Sequence, residues 1–351
     1  MAFIDTILQE PSYGWRDAHG NLVVPSARQM FGEAFRRINI FKSRKNWLAF
    51  FGWFKVAIML PFLGVFLFNY LSWPLVAFMI VYAMIIMSTH GTIWFHRYCT
   101  HKSYKFSSPI WRFITQNLVI KTLPEEVYVI SHHVHHARSD QPGDPYNARA
   151  GLLYCMLADV NHQGIAKDLS EDGYRKVSAF MRDTGVQCHD YAGYQKWGSV
   201  ATVGYTLRIW LLNWAFWYGA FYLMGGHALA CAAFSGAVLW FIGVRAFNYT
   251  GHGSGEEKHQ DGVDFDRRNL SINQMRPGLF SGEWHNNHHL YPGSARAGFL
   301  RHQLDLPWLY IYGLYRIGGV STYQDSKARF MKKYIEGKKE TKPEKTAEPV
   351  A

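Results

Sequence analysis

The sequence predicts an all-α, polytopic membrane protein in which four transmembrane helices, paired as two hairpins, carry a cytoplasmic histidine-rich helical cap. Three observations predict it. The 351-residue chain is 48% hydrophobic, yet its mean hydropathy is only −0.15, so the apolar residues are gathered into blocks. Lys and Arg flank those blocks and are missing from both hairpin tips. The main clusters among the 17 histidines then fall on one side of that topology.

Residues 1–46 read as a cytoplasmic N-terminal segment, ending in Arg36, Arg37, Lys42, Arg44 and Lys45. The opening MAFIDTILQEPS has no basic stretch leading into an apolar core, so no signal peptide is expected. A membrane domain is expected over 47–308. Its first run, 48–71, is interrupted only by Lys55 and Pro61 and bracketed by Trp47 and Trp73. About 20 apolar residues span a bilayer core, and Lys55, near the basic end, is expected to snorkel to the headgroups. The second run covers 74–95. The third, 203–224, meets the fourth, 228–249, at the turn Gly225-Gly226-His227.

Because positive charge stays inside, the termini and the 96–200 segment are assigned to the cytoplasm. The stretch from Pro109 to Ile130 is broken by Arg112, Lys121, Pro124, Glu125 and Glu126 and reads as interfacial helices rather than a fifth span. Residues 309–335 are expected to form a C-terminal helix. The lysine-rich tail 336–351 reads as disordered, with a charge that favours anionic lipid.

The four cysteines stand far apart with no CxxC pair, which argues against a disulfide framework or a zinc ribbon. Cys99 is read as a small buried side chain rather than a thiolate ligand.

The chemistry concentrates in SHHVHHARSDQPGDPYN, where His132, His135 and His136 stand at i, i+3, i+4 and share one helical face. HNNHH repeats that spacing with His285, His288 and His289. HRYCTH adds His96 and His101, and NYTGH places Asn248 one turn before His252. Imidazole is a common ligand for transition metals. Nine imidazoles exceed the four ligands of a structural zinc ion and suit two metals with positions left open. A carboxylate-bridged site in a soluble bundle would need paired Glu-x-x-His motifs, and only Glu256-x-x-His259 occurs. No HExxH is present.

These boxes, in order and separated by two apolar hairpins, resemble those of the integral-membrane fatty-acyl desaturases. The resemblance runs from about Trp94 to Trp308. HRYCTHKSYKF is similar to the first box of that family, HHVHHARSDQPGDPYN to the second, and HNNHHLYPGSAR followed by Gln303-Leu304-Asp305-Leu306-Pro307-Trp308 to the acyl-lipid and acyl-CoA Δ9 branch. His133 and Tyr146 stand where the family often has Arg and His. The Gly-Glu before the third box sits one residue nearer His285 than usual, and 152–199 departs from the pattern.

The resemblance implies a di-iron centre held by His96, His101, His132, His135, His136, His252, His285, His288 and His289, with Asn248 binding through a water. It implies removal of two vicinal hydrogens from an acyl chain, with O₂ reduced to water. Asp140, Asp144 and Glu283 are candidates to orient the imidazoles. Arg97, Lys102 and Arg138 are candidates to hold a carboxylate or phosphate head group. Trp94, Trp111 and Trp284 are candidates for the acyl tunnel. His90, His162, His189, His227, His259 and His302 are read as non-ligands.

The sequence has no GxGxxG fingerprint or CxxC cluster, so electrons are expected from an external ferredoxin, rubredoxin or cytochrome. A lipid hydroxylase, or a decarboxylase forming a terminal alkene from a free fatty acid, fits the same boxes. A histidine-rich membrane metal carrier would want polar residues midway along the spans, and these runs have almost none.

Overall fold

The computed structural model describes residues 2–158, 164–252, 284–301 and 303–336. These residues are mostly helical, with one two-stranded sheet among them. Helix α1 (Ala27–Ile38) begins at a capping box: the Ser26 hydroxyl accepts from the Gln29 N–H while the Gln29 side chain accepts from the Ser26 N–H. That satisfies donors which a helix start leaves open. Helix α2 (Trp47–Val65) runs on through a π-helical turn at Phe66–Tyr70. Helix α3 (Trp73–Ile86) carries Pro74 in its first turn, where no N–H is needed, and continues as a π-helix over Met87–Thr100.

Helices α4 (Pro109–Gln116) and α5 (Glu125–Arg138) have 8 and 14 residues, too few for the ~20 of a span. Helix α6 (Val203–Gly251) is broken at Gly225 and Gly226. Gly226 has φ 69 and ψ −169, a region essentially restricted to glycine. The Trp214 and Phe234 rings, on either side of the break, lie 6.1 Å apart. An unbroken helix would hold them about 30 Å apart at ~1.5 Å per residue, so α6 is a hairpin.

Among the described residues, three helices are long and apolar enough to cross a membrane: Arg44–Tyr70, Trp73–Thr100 and Val203–Gly251, the last being this hairpin. The returning half of α6 presses on α3 through small residues. Ala230, Ala233 and Ala237 are fully buried, and a Cβ on Gly236 would stand 2.8 Å from the Met79 carbonyl. Small side chains let helices approach this closely where no hydrophobic drive joins them.

Two expectations need correcting. Lys55 does not snorkel: it is fully buried, with its ammonium 4.9 Å from the Trp210 ring and 5.3 Å from Phe241. Those rings come from α6, so a cation–π cage is built by residues remote in sequence. Nor is 309–335 one helix. Helix α7 (His285–Leu290) and helix α8 (Leu306–Arg316) precede strand β2 (Val320–Tyr323), which pairs antiparallel with β1 (Tyr104–Phe106), Tyr104 facing Tyr323. A last helical stretch covers Lys327 to Glu336. The β-branched and aromatic residues of VSTY suit a strand once β1 is there to receive them. Glu283, His162, His259, His302 and the tail from 337 onward lie outside the described residues.

Candidate metal centre

Four elements deliver the nine histidines. The π-helical end of α3 carries His96, and His101 caps it; α5 carries His132, His135 and His136. His252 caps α6, and α7 carries His285, His288 and His289. They form two groups. His96, His101, His132, His136 and His288 make one; His135, His252, His285 and His289 make the other. Within each, the candidate ligand atoms lie within 4.8 Å of one another.

Each H-x-x-H-H box is therefore split. A helix turns about 100° per residue, so position i+4 leads i by about 40° while i+3 trails it by about 60°. On α5 the i, i+4 pair His132 and His136 serves the five-histidine group and His135 the other. On α7 the i, i+4 pair His285 and His289 serves the four-histidine group and His288 the other. Sharing one helical face therefore does not bring all three imidazoles of a box into one group. The groups adjoin: the His136 and His289 rings, one from each, stack at 4.6 Å.

The nitrogens are spaced as ligands. His288 Nε2 lies 2.9 Å from His96 Nε2 and 3.0 Å from His136 Nε2, which lies 3.1 Å from His132 Nε2. His285 Nε2 lies 2.9 Å from His252 Nε2 and 3.0 Å from His289 Nε2. A ring nitrogen carries one proton or one lone pair, so protons alone serve such crowded sets poorly. Nitrogens about 2.1 Å from a shared ion stand about 3.0 Å apart at right angles and about 3.4 Å at tetrahedral angles. The observed spacing fits the former.

Protonation fits too. Burial first, and neighbouring imidazoles second, hold His101, His132, His136, His285 and His288 below the ordinary histidine range. Neutral imidazole is the form that binds metal. His101 Nε2 is buried without a hydrogen-bond partner among the described residues.

Carboxylates set the tautomers on one side. His135 Nδ1 meets Asp144 Oδ1 at 2.9 Å, and His252 Nδ1 meets Asp140 Oδ2 at 3.1 Å. An Nδ1–H donated this way leaves Nε2 with its lone pair toward the group. Asp144 is itself fixed by accepting from the Asp140 and Tyr146 backbone N–H groups. Both carboxylates thus act on the four-histidine group.

A clamp behind the boxes holds the segment that follows α7 against the end of α3. Arg97 pairs with Asp305 at 2.9 Å and donates to the Ala295 carbonyl at 2.7 Å. Asp305 also accepts from the Ala297, Gly298 and Trp308 N–H groups. Gln303 accepts from Asn287, within the third box, and from the Phe299 and Leu300 N–H groups. Sequence reasoning met Gln303 and Asp305 only as part of a resemblance and gave them no role. It also missed Tyr128, whose ring stacks on His132 at 5.0 Å and on Phe95 at 5.3 Å.

The head-group candidates fare differently from one another. Arg97 is buried in the clamp, and Arg138 is paired with Asp5 at 2.5 Å. Both guanidiniums thus have carboxylate partners within the protein. Lys102 is half-buried, its ammonium on the Arg182 carbonyl at 2.5 Å. Asn248 sits half-buried one turn before His252. Cys99 is fully buried and belongs to neither group. His90 is also outside both, stacked on Phe95 at 4.4 Å.

Long apolar helices ending in two buried histidine groups define a membrane protein of the histidine-box class. The chain belongs to the fatty acid desaturase family, whose model matches residues 71–309, and is accordingly an oxidoreductase. It is 28% identical over 262 residues to the Delta-9 desaturase-like 1 protein of Arabidopsis thaliana, covering 73% of this chain and 78% of that one. It is 24% identical over 265 residues to the sn-1 stearoyl-lipid 9-desaturase of Anabaena variabilis, covering 72% and 84%. It is 26% identical over 279 residues to the icosanoyl-CoA 5-desaturase of Limnanthes douglasii, covering 75% and 67%.

Proposed function

We propose that the protein is an O₂-dependent fatty-acyl desaturase, introducing a double bond into a lipid acyl chain at a histidine-held pair of iron ions. The observation that carries this reading is the division of nine imidazoles into adjoining groups of five and four. His96, His101, His132, His136 and His288 would hold one ion. His135, His252, His285 and His289 would hold the other, with Asn248 binding through a water. When bound, the iron pair supplies dioxygen activation and hydrogen abstraction from an unactivated methylene, which no side chain here can perform.

The chain's own share is positional. Asp140 and Asp144 keep the Nδ1 protons of His252 and His135 away from the centre. Tyr128 and Phe95 wall one side of His132 with apolar surface, which keeps water from a reactive site. The two halves of α6 join α2 and α3 as four spans. The basic residues flanking them put the histidine groups on the cytoplasmic side. An external carrier such as a ferredoxin, rubredoxin or cytochrome delivers two electrons.

Expression in a host of defined lipid profile, followed by gas chromatography of fatty acids and headspace, tests the reading. A new internal double bond supports it. A terminal alkene or a hydroxy acid would move the chain to a decarboxylase or hydroxylase on the same scaffold. Zinc binding without any O₂-dependent lipid product would replace it with metal carriage.

A further inference from the structure

Helix α1 is turned the opposite way to a helix in water. Its inward face carries Glu33 and Arg37, 1% and 5% exposed, while Phe35 and Phe31 stand outside at 68% and 45%. A surface helix of a soluble protein buries its apolar stripe and shows its charges. The inward charges have partners. Glu33 Oε1 accepts from Arg37 Nε at 2.6 Å, and Glu33 Oε2 accepts from the Ser12 hydroxyl at 2.7 Å. Arg37 donates on to the Gln9 and Glu10 carbonyls at 2.8 and 3.1 Å. That network fixes which side of α1 faces inward. Phe31 and Phe35, four residues apart, share the other side.

Two observations identify what covers that face. One is its continuity with the membrane belt. The buried Asn46 side chain donates to the Arg36 and Asn39 carbonyls at 3.3 and 2.7 Å, and α1 packs against α2. This clips the end of α1 to the start of the first long apolar helix. Phe41 in the link is 97% exposed, and Phe54 and Ile58 on α2 are exposed as well, so apolar side chains point outward along α1, the link and α2 alike. The other is charge. Arg28, Lys42 and Arg44 are exposed along the same stretch, whereas Glu33, which is buried, is the only carboxylate from Ala27 to Asn46. A basic helix with aromatic side chains on its outer face beds them in the boundary between head groups and acyl chains, and its cations are drawn to anionic lipid.

We propose that α1 lies in the head-group boundary of an anionic leaflet, with Phe31 and Phe35 among the acyl chains and Arg28 and Lys42 on lipid phosphates. The segment before the first span is then a second membrane contact beside the spanning helices. The contact rests on α2 as a span and on nothing at the metal centre, so it stands or falls apart from the desaturase reading.

The test uses the full-length, metal-loaded protein in nanodiscs of phosphatidylcholine, with and without phosphatidylglycerol. The background is Cys188→Ser, because the other three cysteines are buried. Phe35→Cys and, separately, Phe31→Cys carry an environment-sensitive fluorophore. Arg175→Cys, at a side chain 79% exposed, is the water-facing control. Lipid bearing a quencher near the top of its acyl chain should quench the labels at 31 and 35 several-fold more than the control, and aqueous iodide should do the reverse. Added phosphatidylglycerol should strengthen the lipid quenching, and Arg28→Gln/Lys42→Gln should cancel that gain. Either label decides the matter if the other variant does not fold. Labels open to iodide in both membranes would overturn the proposal. So would labels shielded from both quenchers in particles holding two copies of the chain, which would make the face an interface between copies. Lipid quenching indifferent to phosphatidylglycerol and to the charge variant would remove the anionic contact and overturn it as well.

Discussion

The Arg97 guanidinium and the Asp305 carboxylate meet at 2.9 Å with both side chains buried, tying the first histidine box to the segment that follows the third. The boxes lie far apart in the chain, so their nitrogens share a volume only if such ties hold the helices in register. Breaking a buried pair from one side costs about 3–5 kcal/mol because the remaining charge is stranded. Asp305→Ala also strips the acceptor from three backbone N–H groups. Its melting temperature in detergent should drop sharply and its metal retention with it, while Arg97→Met/Asp305→Leu recovers part of the loss. A variant that melts with the wild type would show the clamp to be idle.

Asp140 and Asp144 both act on the four-histidine group. Asp140→Asn and Asp144→Asn should therefore weaken one of the two metal positions about 10- to 100-fold and spare the other. Elemental analysis after dialysis against a chelator should find the loss limited to about one ion per chain. Equal depletion of both positions would contradict the asymmetry.

His135 and His288 stand in different groups although each occupies the i+3 position of its box. His135→Ala and His288→Ala should each abolish O₂-dependent product while the protein still inserts in the membrane. Product surviving either change would remove that residue from the ligand set.

Glu126 is buried, and its two oxygens accept from the Val200 and Ala201 N–H groups at 2.8 and 2.7 Å. Burial nonetheless outweighs those bonds and raises its carboxyl to about 7. The folded protein then binds this proton more tightly than the unfolded chain. The stability that protonation brings is complete below the ordinary carboxyl range and is lost as pH rises through about 7. The buried histidines, held low, pull the opposite way, their contribution fading as pH falls below their unfolded value. The difference between wild type and Glu126→Gln isolates the carboxyl. Wild-type melting should fall relative to the variant between about pH 5 and 8, and parallel curves would refute the shift.

Much of this was legible in sequence because the signals are local. Apolar runs, the Gly225-Gly226 break and the i, i+3, i+4 boxes all lie within a few residues of themselves. What escaped depends on distant partners. Lys55 is caged by Trp210 and Phe241, and β2 exists because β1 is more than two hundred residues upstream. Arg97 adjoins His96, but successive residues are rotated about the helix axis, and Arg97 meets Asp305, a partner more than two hundred residues away. The same rotation explains why a single box serves two groups.

The most direct test of the account is iron per chain in protein purified from iron-replete cells. Two adjoining histidine groups predict about two irons per chain, with His252→Ala retaining about one. A single tightly held ion, or zinc filling both groups in an enzyme without O₂-dependent product, would contradict it.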